Sequence, residues 1–272
     1  MNSGIHVTPV KRSCPQCAGD DGVDLELAPA PWTIVRCREC SFVYMTSGPS
    51  YADLSETLAW SQSYKNETDR RTKKRPVFYW FDQKTRWRLH IFPRPETWRY
   101  MSKLVHKGAV VDIGCSNGAN LLRLPETVTP FGVEIGKARA EESDNKLRAR
   151  GGMCLHAPAT EGLAQFEDEK FSGAMLNSFL EHENAPAPLL SVLYKKLTIG
   201  GVAVVKIPNF ASWNAAIMKS AWCGVRIPDH VNYFTPKSLA AMAEKAGFVV
   251  TFPRFANLPT NDNFWAFLRK GA

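Results

Sequence analysis

From Ala109 onward the chain alternates between two patterns of apolar and polar residues. Short continuous apolar runs, each closed by a polar residue or a glycine, give way to stretches with apolar residues every three or four positions. "AVVDIG", "PFGVEI", "MCLHA", "SGAMLNS" and "GVAVVKI" are such runs and read as strands. "GANLLRL" reads as the start of a helix, and "KARAEESDNKLRAR", "APLLSVLYKKL" and "TPKSLAAMAEKAGF" read as helices. Gly151 and Gly152 end the second of these, and Thr235 with Pro236 forms a start signal for the last. "FVVTF" and "NFWAFLR" follow as two final strands. Strand and helix in alternation predict an α/β fold with a mainly parallel, doubly wound, Rossmann-like sheet.

Before Ala109 the pattern differs. "WTIVRC" and "SFVYM" alternate residue by residue, as two short strands do. Residues 51–107 carry only a weak helical period at Leu54, Leu58 and Tyr64, interrupted by Pro76. "VFYWFDQKTRWRLHIF" is dense in aromatic and basic side chains, and "ETWRYMSKLVH" reads as a helix. Three parts follow: a small N-terminal module over 1–50, a helical, basic–aromatic cap or linker over 51–107, and the α/β domain over 108–272.

Composition narrows the options. With 272 residues and 44% apolar side chains, one large domain and a small appendage can bury a full core. No apolar run approaches a membrane span, and the first residues carry no signal-type apolar stretch, so a cytoplasmic chain is expected. The net charge of +8 is uneven: Lys65 to Lys107 holds 13 Lys or Arg against 4 Asp or Glu, and the rest is close to neutral. Such a segment suits an anionic partner, either a phosphorylated or nucleotide-linked small molecule or a nucleic acid. It equally suits a cap whose long basic stems cover packed aromatics.

Four of the seven cysteines form two C-x-x-C pairs, Cys14 with Cys17 and Cys37 with Cys40, separated by 19 residues. Each pair fits one tight knuckle, and two knuckles complete a tetrahedron with no open position. A structural Zn2+ in a zinc ribbon is expected. Cys115, Cys154 and Cys223 lack this spacing and read as small apolar residues.

The run "VVDIGCSNG" ends a strand on Asp112 and enters a loop with Gly114, Ser116 and Gly118. Glycine there admits close backbone approach to a ligand. Glu134 ends the next strand, 22 residues on, where an acidic side chain can accept hydrogen bonds from ribose hydroxyls. The loop lacks the full G-x-G-x-x-G of dinucleotide enzymes, since Ser116 occupies the second glycine position.

With these residues the sequence resembles the class I S-adenosylmethionine-dependent methyltransferases. "VVDIGCSNG" is similar to their first motif, "FGVEI" to the second, and "FSGAMLNSFLEHENAPAPLL" to the fourth. "LTIGGVAVVKIPN" and "DHVNYFTPKSLAAMAEKAGF" are similar to later elements. The paired cysteines ahead of this domain also resemble a bacterial subgroup with an N-terminal zinc ribbon, many of whose members modify sugars or natural products. Ser172 stands in place of a usual Asp, and His156, Ala157 and Pro158 replace an acidic residue expected near adenine. The resemblance implies a seven-stranded methyltransferase sheet, with S-adenosyl-L-methionine held by Asp112, Gly114, Ser116, Gly118, Glu134 and Asn177.

Methyl transfer to a hydroxyl or carbon acid requires proton removal, for which His is suited. His182 after the fourth strand and His230 after the fifth are the candidates, with Asp229 a possible orienter of its neighbour His230. Each could instead be a structural His bonded to backbone. Tyr233 and Asn232 are candidate substrate-binding residues. The expected activity is methylation of a small-molecule acceptor, and the resemblance implies a sugar or natural-product intermediate. An RNA base methyltransferase and a catalytically silent partner-binding fold remain the alternatives.

Overall fold

The structure is a computed structural model and describes residues 9–50, 96–254 and 257–271. Most of the basic–aromatic cap expected from the sequence, residues 51–95, lies outside the described residues. The N-terminal part consists of β1 (Pro9–Lys11), β2 (Gly22–Asp24), β3 (Ile34–Cys37), β4 (Val43–Met45) and β5 (Ser47–Pro49). β3 and β4 are the two alternating runs. Helix α1 (Thr97–Leu104) then leads into β6 (Gly108–Ile113), β7 (Val128–Glu134), α2 (Lys137–Leu147), β8 (Met153–His156) and α3 (Ala159–Ala164). The series continues with β9 (Phe171–Asn177), α4 (Pro186–Lys196), β10 (Leu197–Pro208), α5 (Trp213–Met218), β11 (Asn232–Tyr233), α6 (Pro236–Lys245), β12 (Phe248–Thr251) and β13 (Asn263–Lys270).

The main sheet has seven strands in the order β12-β13-β10-β9-β6-β7-β8. β6 to β10 run parallel, and β13 is antiparallel to both its neighbours. Chain order reverses between β6 and β9, so a crevice opens at their carboxyl ends. The strands are apolar on both faces because both faces are covered. Met101 of α1, Val105 just after it, and Ala140 and Leu147 of α2 bury one side with Val110, Met175 and Val204. Leu163, Leu189, Leu193, Leu239 and Met242 of α3, α4 and α6 bury the other.

Local signals explain the boundaries. Thr235 Oγ1 accepts from Ser238 N at 3.1 Å while Ser238 Oγ accepts from Thr235 N at 2.9 Å, a reciprocal cap with Pro236 at the first position. "GANLLRL" differs from expectation: only a single 3-10 turn forms, Leu121–Arg123. Pro125 stops it, since the residue before a proline is driven out of the helical region, and Leu124 is extended at ψ 156°.

The N-terminal module is built into the domain. β11, which comes from the loop after β10, pairs antiparallel with β4 and completes a four-stranded sheet β11-β4-β3-β2. Ile34, Val43 and Met45 share a core with Trp222, Val225, Val231 and Tyr233. Phe42 meets Phe234 edge to face at 5.1 Å. Arg12 is the main polar tie: it donates to the carbonyls of Met45, Val231 and Asn184 and to Asn232 Oδ1. Among the described residues no helix is long and apolar enough to cross a membrane.

Candidate functional site

The four paired cysteines converge. Their Sγ atoms all lie within 4.8 Å of one another, with Cys14 to Cys40 and Cys17 to Cys37 at 3.5 Å. Tetrahedral thiolates about 2.3 Å from a zinc ion stand roughly 3.8 Å apart, so the donor set fits that ion. The two knuckles repeat one turn. Ala18 N donates to Cys14 O and Ser41 N to Cys37 O, and Ala18 and Ser41 both take a left-handed φ, 65° and 63°. Burial pushes the Cys14 thiol up and Cys17 up to about 11, whereas Cys37, despite its burial, is lowered by hydrogen bonds from the backbone of Cys40 and Glu39.

A second set of groups lines the carboxyl ends of β6, β7 and β9. Asp112 is 2% exposed, and its Oδ1 has no hydrogen-bond partner among the described residues. Burial first, and the nearby Glu134 charge second, push its carboxyl up to about 8. Glu134 is gripped by backbone: Ser116 N donates to Oε2 at 2.9 Å and Gly136 N to Oε1 at 2.8 Å. Each oxygen keeps a lone pair for a ligand hydroxyl. The loop makes the approach possible. Gly114 at φ 73° faces the Phe179 ring so closely that a Cβ would collide with it. Gly118 at φ 75° leaves room for Ser143 Oγ, 2.7 Å from where a Cβ would sit. Asn177 closes β9, and its Oδ1 accepts from Thr97 Oγ1 of α1 at 2.9 Å. His156, at the end of β8, contacts Ile135 O at 3.0 Å.

Beyond Asn177 lies a buried polar cluster. His182 Nδ1 faces two acceptors of Asp229, the carbonyl at 2.9 Å and Oδ1 at 3.2 Å. Asp229 Oδ2 pairs with Arg226 Nη2 at 3.1 Å. Asp229 therefore orients His182 rather than its sequence neighbour. His230 turns its Nδ1 to Gly224 O at 2.8 Å instead. The two rings meet edge to face with centroids 4.6 Å apart. Burial alone would lower His182, but the Asp229 charge and hydrogen bond outweigh it and hold the ring at about 9. Burial, with His182 adding to it, lowers His230 well below its ordinary value. The His182 charge and hydrogen bond hold Asp229 well below the carboxylate range despite its burial. Glu181, raised by burial, completes the cluster.

Asn232 and Tyr233, the two expected substrate contacts, are hydrogen-bonded within the protein. Asn232 donates through Nδ2 to Leu180 O at 2.8 Å and Glu183 O at 2.6 Å, while its Oδ1 accepts from Arg12 at 2.8 Å. Tyr233 donates its hydroxyl to His230 O at 3.0 Å. Both are buried, and both hold the two histidine loops together. Glu181 lies beside His182 in "FSGAMLNSFLEHENAPAPLL" with no site role expected of it, and Arg12, more than 200 residues from Asn232 in sequence, carries no local signal.

The family model described as a methyltransferase domain matches residues 87–251, more than half of the chain. No curated protein matches the sequence. Several solved structures share the fold. The YcgJ protein of Bacillus subtilis aligns with a TM-score of 0.53 at 14% identity, over 65% of this chain and 98% of its own. A SAM-dependent methyltransferase from Thermotoga maritima aligns at 0.50 with 21% identity, over 71% of this chain and 97% of its own. One from Archaeoglobus fulgidus aligns at 0.50 with 20% identity, over 71% and 100%. The matched span contains both the Asp112–Glu134 cradle and the paired histidines, and the chain belongs to the methyltransferase domain family.

Proposed function

We propose that the protein transfers the methyl group of S-adenosyl-L-methionine to a small-molecule acceptor, a sugar or natural-product intermediate. The observation that carries this reading is Glu134, fixed by two backbone N–H groups at the end of β7 beside the buried Asp112. In this reading Glu134 accepts from the ribose hydroxyls, and Asp112 faces the cationic end of the cofactor. Gly114, Ser116 and Gly118 let backbone line the site, and Asn177, fixed by Thr97, borders it. The bound cofactor supplies a sulfonium methyl with an excellent leaving group. The protein's part is to align the acceptor and manage its proton. His182 and His230 stand at the acceptor end, and Asp229 sets the ring of His182. The four cysteines hold a structural zinc ion that fixes the ribbon and, through β4 and β11, the His230 loop.

The test is affinity. Glu134→Ala removes a charged acceptor while leaving the strand, and such a loss costs about 1.5–3 kcal/mol. Binding of S-adenosylhomocysteine by calorimetry should weaken about ten- to a hundredfold. Unchanged affinity would displace the site from these strand ends.

Proton release gives a second check. Asp112, up at about 8, carries its proton at neutral pH, and a cation placed beside it favours the carboxylate. Cofactor binding near neutral pH should therefore release up to about one proton. The apparent binding enthalpy should then vary with the ionisation enthalpy of the buffer. Asp112→Asn should abolish that variation; a dependence that persists in the variant would assign the proton elsewhere.

A further inference from the structure

We propose that Glu181, His182 and His230 form a binding site for one divalent transition-metal cation, separate from the four-cysteine cluster. One ligand atom from each residue lies within 4.8 Å of the other two. Glu181 is 2% exposed, and its Oε2 has no partner among the described residues. The Nε2 of His182 is buried and equally without a partner. Native proteins seldom leave two such atoms in one buried cluster, because an unmade buried hydrogen bond is costly. A cation between them satisfies both.

The surrounding hydrogen bonds fix the tautomers this requires. His230 Nδ1 points at the Gly224 carbonyl, which can only accept, so Nδ1 carries the hydrogen. His182 Nδ1 points at the carbonyl and carboxylate of Asp229, which also only accept. Both neutral rings therefore keep the Nε2 lone pair. A carboxylate behind one metal-binding imidazole and a backbone carbonyl behind another are the outer partners such ligands ordinarily have. Asp229 strengthens the basicity of His182 toward a metal as it does toward a proton, so the two compete for Nε2. Arg226 in turn braces Asp229.

Two imidazole nitrogens and one carboxylate oxygen suit Zn2+, Fe2+ or Co2+ and leave coordination positions open. The four-cysteine set leaves none. An open position at the acceptor end can take an acceptor oxygen and, as a Lewis acid, ease loss of its proton. That role rests on the methyltransferase reading; the binding of the cation does not.

The test uses the full chain with one equivalent of Zn2+ in the ribbon and excess metal removed. Titration with Co2+ should then show one further equivalent bound, with ligand-field absorption and no thiolate charge-transfer bands. Glu181→Gln and His182→Ala should each weaken this binding at least about tenfold, and Asp229→Asn about 10- to 100-fold. Near-ultraviolet circular dichroism and S-adenosylhomocysteine affinity report whether each variant is folded. No further equivalent in the wild type, or binding indifferent to Glu181→Gln in a folded variant, overturns the site. If Co2+ binds and S-adenosylhomocysteine does not, the site stands and the cofactor reading falls. The reverse result removes the site and leaves that reading in place.

Discussion

Replacing His182 by Ala should lower single-turnover methyl transfer about 10²–10⁴-fold while leaving cofactor affinity within a few-fold. The two effects separate because the residues separate. The cradle is made by the ends of β6 and β7, through Asp112 and the backbone-held Glu134. His182 lies past β9, and its partner Asp229 lies on the loop after β10. In the proposed arrangement, loss of the imidazole removes a group from the acceptor end without moving a cofactor contact. Asp229→Asn should reproduce part of the loss, because the ring keeps a carbonyl acceptor at 2.9 Å but loses the charged one. His230→Ala should lower turnover less, chiefly by loosening the same wall. If neither histidine variant loses more than a few-fold, another group handles the acceptor.

Cys37→Ser should be the most damaging substitution for the fold. Cys37 ends β3, which pairs with β4, which pairs with β11 next to His230. In the proposed zinc site one lost thiolate opens the tetrahedron, and metal loss belongs to the small class of changes that exceed about 4 kcal/mol. For a domain of this size that corresponds to a fall of about 8–16 °C in Tm. Metal analysis should show the zinc content drop with it. Turnover should fall as well, since β11 and the Arg12 contacts to Val231 and Asn232 hold the His230 loop. Among the described residues Asp112 and Glu134 bond to nothing in the ribbon, so the proposed cofactor affinity should survive at temperatures where the variant is folded. A variant with full stability and no zinc would remove the metal from the account.

What could be read from the sequence is what local pattern encodes. The apolar runs marked the strands because strands buried on both faces must be apolar throughout. The strand-end positions of Asp112 and Glu134 were legible because a strand end followed by a glycine loop is a continuous stretch of chain. The cysteine pairs were legible because knuckle spacing is local. "GANLLRL" misled because its apolar spacing is helical while Pro125, just beyond it, forbids the continuation. Asp229 was placed on His230 because adjacency in sequence suggested it. On an irregular loop adjacent side chains diverge, and its carboxylate meets His182 from 47 positions away. Asn232 and Tyr233 looked like pocket residues because they are polar and lie near a candidate histidine. Their partners, Leu180, Glu183, Arg12 and the His230 carbonyl, are set by the packing of the ribbon against the domain. No local pattern records that packing.

The most direct test of the cofactor site is a crystal structure of the full chain with S-adenosylhomocysteine. The ribose hydroxyls should lie within hydrogen-bond distance of Glu134 and the amino-acid end of the ligand in the crevice beside Asp112. Density for the ligand elsewhere, or a ribose that makes no contact with Glu134, would contradict that placement.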